Sequence, residues 1–469
     1  MSETQTWWRD RSLATAVVVG FVIRLVPVLV WINTWGCLRD ECTYLSLARK
    51  IVGGQGMVGS AGWLWAPGYP MIVAFHTWLT GLGGTTKVTQ ALCAAVCTVL
   101  MYKLTQKIWS DRGPQESRRI GLIAAWFYTL SPHMAFFAMS LWSEVIYGMF
   151  LLFLLLTLDK ARDALDAMKR NPGWLKYAVV VGILAGICVL FRGVATYMVP
   201  IFGFTLLWRR WSSADAWKQA AVVAIAAGLT VAPYSVYISK KMDAVIISDR
   251  TLGQMMWLGN NTFEPITFDY GNGQLSQRAF KRHVKEGRQR CAGRKETIKR
   301  DACETENGKQ WILDNPGEFL GRMPMRVAQL MNPNSLMTRH LRWGKWRGLP
   351  QWFDEVLIVA QALSSMLVLI GGSLALVARG RGGHGVVTAL ILLYHCAAIA
   401  ALAGLSRYRV PLEPLLMVYL AGFLSRPRLI WESLAAERWR AILAVLVMIW
   451  VIPLTLWYLP AGWTWWRSW

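Results

Sequence analysis

Eleven apolar runs, each close to the length of a bilayer-crossing helix, decide what this chain can fold into. They lie at about 13–35, 87–107, 119–138, 142–158, 174–191, 194–208, 217–238, 354–378, 386–405, 409–424 and 440–458. A helix needs about 20 predominantly apolar residues to cross a hydrocarbon core. Only helices and closed barrels satisfy their own backbone polar groups there. No soluble fold has use for so many such runs, and a content of 55% hydrophobic residues with a positive mean hydropathy agrees. The sequence therefore predicts an all-α polytopic membrane protein with about eleven transmembrane helices. The run 13–35 follows Arg9 and Arg11 as a signal peptide would, yet it is too long and lacks a small-residue cleavage site, so it reads as a retained first helix.

A formal charge of +23 would point to nucleic acid in a soluble protein. Here Lys and Arg fall in short loops between the runs and in one long loop, so phospholipid headgroups and lipid phosphates are the expected partners. Several of the 27 Trp residues sit at run ends, where an amphipathic ring suits the headgroup layer.

Basic residues in short loops mark the cytoplasmic side. Counting 65–82 as a further span would place Lys103, Lys107, Arg112, Arg118 and Arg119 outside. Leaving it out puts them inside together with the basic stretches 160–176, 209–218, 379–381 and 426–440. The segment 65–82, opening on Pro67-Gly68-Tyr69-Pro70, is accordingly expected as a juxtamembrane or re-entrant helix on the outer side. Two segments then face outward, 36–86 and 239–353, the second a mixed, mainly helical external loop with a helical stretch at 275–300. The expected organisation is an N-terminal transmembrane module (1–238), an external loop domain (239–353) and a C-terminal transmembrane module (354–469), with the N-terminus cytoplasmic and the C-terminus outside.

Cys37 and Cys42 share the first outer segment and Cys291 and Cys303 the second. Each pair is able to close a local disulfide in an oxidising compartment, although spacing does not distinguish a disulfide from free thiols. Cys93, Cys97, Cys188 and Cys396 fall in apolar runs and read as small buried residues.

Arg39-Asp40-Glu41-Cys42-Thr43-Tyr44 places two acids just past the first span. In a helix starting at Asp40, Asp40 and Tyr44 share a face by i, i+4 spacing while Glu41 points aside. An N-cap Asp followed by a first-turn Glu accounts for the pair equally well. Glu144 follows Ser140 to Ser143 at the outer end of another span. Ionisable groups at membrane depth cost about 2.5–3.5 kcal/mol, so they line cavities or have partners. Arg24 and Arg192 are candidate partners for acids or a phosphate, with snorkelling as the plain alternative. Ser406-Arg407-Tyr408-Arg409-Val410-Pro411 puts two guanidinium groups at an outer boundary, against the cytoplasmic bias and suited to bidentate phosphate binding.

The ordered set of runs resembles a known family. It comprises Asp40-Glu41 with Tyr44, Gly54-Gln55-Gly56, Ala66-Pro67-Gly68-Tyr69-Pro70, Ser131-Pro132, Ser143-Glu144, Trp257-Leu258-Gly259-Asn260-Asn261, Asn315-Pro316-Gly317-Glu318-Phe319 and Arg407-Tyr408-Arg409-Val410-Pro411. Together these resemble the bacterial GT-C glycosyltransferases related to protein O-mannosyltransferases and aminoarabinose transferases. The resemblance covers nearly the whole chain and rests on order and topology rather than on any single motif. It implies inverting transfer of a sugar from a polyprenyl-phosphate carrier to a protein, lipid or glycan acceptor on the outer face of a bacterial inner membrane. Asp40 is then the catalytic carboxylate, acting as general base on an acceptor hydroxyl or orienting it. Glu41 and Glu144 shape the acceptor site or help hold a divalent ion, and Arg407 and Arg409 hold the carrier phosphate.

The residues expected at the substrate are Tyr44, Tyr69, Arg192, Asn260, Asn261, Arg407, Tyr408 and Arg409. Aminoarabinose transferases carry Lys where this chain has Ala66, so phosphate binding is expected from Arg407 or the long loop. The cofactor expectation is at most a divalent metal ion, with scattered acids and His133 as its available ligands, and no organic cofactor. The competing classes are a polyprenyl-lipid or small-solute transporter or flippase, and a noncatalytic scaffold or sensor. Neither requires Asp40.

Overall fold

The structure, a computed structural model, describes residues 10–31, 37, 40–57, 64–166, 173–262, 291, 297–333, 335–342, 350–380 and 382–464. Among them every regular element is helical, and the one extended pairing is an isolated antiparallel bridge between Leu64 and Arg250. The chain is an all-α, multi-pass membrane protein, as the apolar runs require.

Among the described residues six helices are long and apolar enough to cross a membrane: Arg11–Val30, Gly83–Ile108, Trp174–Phe191, Ala214–Met242, Gln351–Arg379 and Gly383–Ala401. A seventh crossing would be made by Pro114–Leu130 and Pro132–Ala138 together, bent by 57° at Ser131. The expected count of eleven is not confirmed by this measure: the last run, 440–458, falls in Arg438–Thr464, whose side chains from 453 on lie outside the described residues, and three other runs fall short. Glu413–Ser425 and Gly193–Leu207 are apolar but short. At 1.5 Å per residue, 13 residues give about 20 Å against a core of about 30 Å. Glu144–Asp166 has the length but carries five charged residues after Glu144, all in its second half. The segment 65–82 forms the 13-residue helix Gly68–Thr80, packed on Asp40–Val52. Of the expected helical stretch 275–300, residues 275–290 and 292–296 lie outside the described residues, and the helix that follows is Thr297–Asp314.

Small residues bring the helices together. Without a hydrophobic driving force in lipid, association depends on close backbone approach. Gly182 and Gly186, one turn apart on Trp174–Phe191, sit against Ala226 and Thr230 of Ala214–Met242, where a Cβ would come within 2.5 and 2.6 Å of those side chains. Glu413–Ser425 lies at the centre of the bundle with Glu413 to Gly422 all buried. There the Trp109 indole rests on Gly422 and donates to the Val418 carbonyl at 3.1 Å.

The break at Ser131 explains Arg24. A helix ends with unpaired carbonyls, which need donors when buried. Arg24 supplies them from inside the first helix, donating to Thr129 and Tyr128 carbonyls at 3.1 Å and to its own Gly20 carbonyl at 2.9 Å. It is 1% exposed and sits at this break, so it partners backbone and not an acid.

Candidate active site

Asp40 opens the helix Asp40–Val52 and Glu144 opens Glu144–Asp166. Carboxylates at both N-termini complement the helix dipole. Between them lies Arg407, in the short 3-10 turn Ser406–Arg409. Its guanidinium pairs with Asp40 through Nη1 and with Glu144 Oε1 through Nε at 3.0 Å. Arg192, at the end of Trp174–Phe191, donates to the same Glu144 oxygen at 3.0 Å. The Arg407 guanidinium stacks over the Trp142 ring, 4.0 Å from its centroid. Burial opposes the charge on Arg407, but Glu144 and then Asp40 more than offset this and hold it above its usual range. Two acids and two guanidinium groups thus form a near-neutral cluster drawn from four separate parts of the chain.

The cluster stands at one end of a cavity of about 940 Å³. Asp40, Tyr44, Trp142, Arg192, Arg407 and Tyr408 form its polar end, with Glu144 buried behind them. The rest of its lining comes from the stretch 245–258, which brings Ser248, Asp249, Arg250, Thr251 and Gln254 to it, and from the more apolar Gly193–Leu207 and Gly383–Ala401, where Tyr197 is 67% exposed on the outer surface of the bundle. A charged end joined to an apolar, outward-opening end suits an amphiphile with a polar head and a long tail.

Several buried groups hold this arrangement. Glu41 is 1% exposed and accepts from the Leu141 N–H at 2.9 Å, fixing the approach to Glu144. Tyr69 donates to Gln90, whose amide donates in turn to the carbonyls of Phe137, Ala138 and Ser140. Tyr44 packs edge-on against both Tyr69 and Trp65, with centroids 4.7 and 5.1 Å apart. The Cys37–Cys42 disulfide closes around Asp40 and Glu41, and Cys291–Cys303 forms as well, so both pairs left open by spacing are bonded.

Of the residues expected from the sequence, Asp40, Tyr44, Glu144, Arg192, Arg407 and Tyr408 come together at the cavity. Glu41 and Tyr69 lie one layer back. Arg409, Asn260 and Asn261 are not brought to it. Arg409 is 2% exposed, pairs with Glu413 at 2.7 Å, and donates to the Leu330 and Asn332 carbonyls. Glu413 also hydrogen-bonds His133 Nδ1 at 2.9 Å, so His133 is committed to this buried knot. Asn260 donates to the carbonyls of Met256 and Ala401 and accepts from Arg326, while Asn261 donates to Trp257. These three fasten the long segment to Gly383–Ala401 and to its own helices. Arg407 and Arg409 diverge because a 3-10 turn, at three residues per turn, sends positions two apart to different sides.

Asp249 lines the same cavity and was missed by sequence reasoning. It follows the Ala214–Met242 span by seven residues, an acid just past a span end as Glu144 is just at one, which is the signal available for it. Burial pushes its carboxyl up to about 6, helped by Asp301 and opposed by Thr251, the Gly193 N–H and Arg192.

A divalent ion does not fit the cluster as arranged. Arg407 occupies the place between the two carboxylates that a cation would take, and among the described residues no group of three or more His, Cys, Asp or Glu is placed to hold one.

No protein-family model and no curated protein matches the sequence. Solved structures do match. The archaeal oligosaccharyltransferase AglB from Archaeoglobus fulgidus, in complex with an inhibitory peptide and a dolichol-phosphate, superposes with a TM-score of 0.50 at 14% identity over 98% of this chain. Its apo form gives 0.50 at 13% identity over 98%. ArnT from Cupriavidus metallidurans bound to undecaprenyl phosphate is similar at 14% identity over 90% of this chain and 78% of ArnT, with a TM-score of 0.42 that carries no weight here. The chain spans 56% of the length of AglB. What the AglB superpositions show is the fold alone: the chain shares its helical architecture with that protein over 98% of its own length.

Proposed function

We propose that this protein is a membrane glycosyltransferase that moves a sugar from a polyprenyl-phosphate carrier to an acceptor hydroxyl, with inversion, at the Asp40 cluster. The observation that carries the reading is Arg407, held between Asp40 and Glu144 at a cavity that also has an apolar wall from Gly193–Leu207 and Gly383–Ala401. A carrier phosphate entering from the membrane would find Arg407 and Arg192 as its counter-charges. Developing charge on the departing phosphate is best met by such preorganised cations in a site shielded from water. Asp40, one bond from Arg407, takes the proton of the acceptor hydroxyl or orients it, and Glu144 holds both arginines in place. Arg409 holds the turn that presents Arg407.

Further support is the shared fold with an oligosaccharyltransferase whose structure contains a dolichol-phosphate and an inhibitory peptide. The orientation that goes with this reading puts the site on the outer face of a bacterial inner membrane, with 239–353 as an external domain between transmembrane modules 1–238 and 354–469. Removing Arg407 tests the phosphate assignment. Losing a charge-assisted contact costs about 1.5–3 kcal/mol, so Arg407→Ala should weaken binding of undecaprenyl phosphate in nanodiscs by about 10- to 100-fold. Unchanged affinity would take the phosphate away from this cluster.

A further inference from the structure

Asp40 and Asp249 line the cavity and Glu144 is buried behind it, and the three carboxylates are not equivalent. Asp40 and Glu144 are both paired to guanidinium groups. Asp249 lines the cavity without a cation at ion-pairing distance among the described residues. It sits on a built support. The bridge between Leu64 and Arg250, with the Arg250 N–H donating to the Leu64 carbonyl at 2.9 Å, ties its segment to the part of the chain that leads into Ala66 and Gly68–Thr80. On its other side the carboxyl lies on the backbone at Gly193, where a Cβ would meet its Oδ1 at 2.2 Å, so only glycine leaves room for it. The Thr251 hydroxyl donates to Oδ2 at 3.4 Å.

The charged and titratable groups facing Asp249 come from four elements. Arg192 acts on it from the end of Trp174–Phe191, but its guanidinium is committed to Glu144. Asp301 of Thr297–Asp314 adds a like charge. Arg250 turns from it toward Asp301, 3.6 Å away, and the Val245 carbonyl. Tyr234 of Ala214–Met242 feels its charge.

Resting on the glycosyltransferase reading, we propose that Asp249 is a catalytic carboxylate of this site, the group that takes the proton of the acceptor hydroxyl while Asp40, clamped by Arg407, orients that hydroxyl. As the acceptor oxygen bonds to the anomeric carbon, the bond from that carbon to the carrier phosphate breaks and its electron pair leaves on the phosphate oxygen. The hydroxyl proton passes to Asp249 and from there to water or to the departing phosphate, whose new charge meets Arg407 and Arg192. The division of labour follows from the contacts. Arg407 engages a lone pair of Asp40 that a proton would need, whereas Asp249 is held by neutral donors, the Thr251 hydroxyl and the Gly193 N–H, with no cation bonded to it among the described residues. A general base works best when its pKa lies near the operating pH, and burial holds the Asp249 carboxyl at about 6.

The test is the pH profile of transfer by the full chain in nanodiscs, using a panel of radiolabelled polyprenyl-phosphate sugars. Wild type should gain rate as pH rises through about 6 and then level off. Asp249→Asn, which keeps size and shape beside Gly193, should lower kcat by about 10²- to 10⁴-fold with little change in KM and should lose that limb. Asp249→Glu should recover part of the rate with a displaced limb. A limb that persists in Asp249→Asn, or a loss confined to KM, overturns the base assignment while leaving the transferase intact. No transfer by wild type from any donor overturns the transferase reading and this proposal with it.

Discussion

Arg407 and Arg409 are two residues apart and have opposite fates. Arg407 faces a cavity and holds two carboxylates. Arg409 is buried in a knot with Glu413, His133 and two backbone carbonyls. Removing one partner of a buried pair strands the other charge, at a cost of about 3–5 kcal/mol. Arg409→Ala should therefore lower the melting temperature and the folded yield more than Arg407→Ala, which leaves Glu144 paired to Arg192, and Arg407→Ala should in addition weaken phosphate binding. Thermal unfolding in detergent separates the two, and equal melting temperatures would contradict the assignment. The sequence pointed to Asp40, Glu144, Arg192 and Arg407 because charges at span ends are costly and need partners. It also swept in Arg409, Asn260 and Asn261, since the direction of a side chain in a short turn or a loop is set by contacts distant in sequence. Asp249 escaped notice because an acid in a long segment of mixed charge is ordinary; only the fold brings it back over Gly193.

At the scale of elements, the helices that carry the site are placed by close backbone approach. Trp174–Phe191, which ends at Arg192, is pressed to Ala214–Met242 through Gly182 and Gly186. At Gly186 the nearest atoms include the Ala227 carbonyl, 2.9 Å from a Cβ, which has no rotamer to retreat into. Gly186→Ala should cost about 1–3 kcal/mol through overpacking. Gly228→Ala on the facing helix, with open space around it, should be neutral or mildly stabilising, because a helical glycine is about 0.5–1 kcal/mol worse than alanine. Equal melting temperatures for the two variants would sink this account of the packing. The existence of these helices was legible as apolar runs. Their lengths were less so: Ser131-Pro132 cuts one run into a bent pair, and Glu413 begins its helix four residues later than the run 409–424 because Ser406–Arg409 is taken up by the turn that aims Arg407.

At the scale of the whole molecule, an all-helical membrane bundle gathers residues 40, 192, 249 and 407 around a single cavity, with Glu144 behind it. Burying paired charges beside an apolar chamber is expensive, and a bundle keeps such a feature where chemistry or recognition requires it. The superposition on AglB fixes the architecture over 98% of this chain, while the chain spans 56% of that protein's length. The reaction is thus an inference from the site. Transfer of radiolabelled sugar from a panel of polyprenyl-phosphate donors, compared between wild type and a folded Asp40→Asn variant in lipid nanodiscs, tests it most directly. The account predicts transfer from at least one donor by wild type and a loss of at least about 10²-fold in the variant. Equal rates in the two proteins would contradict it.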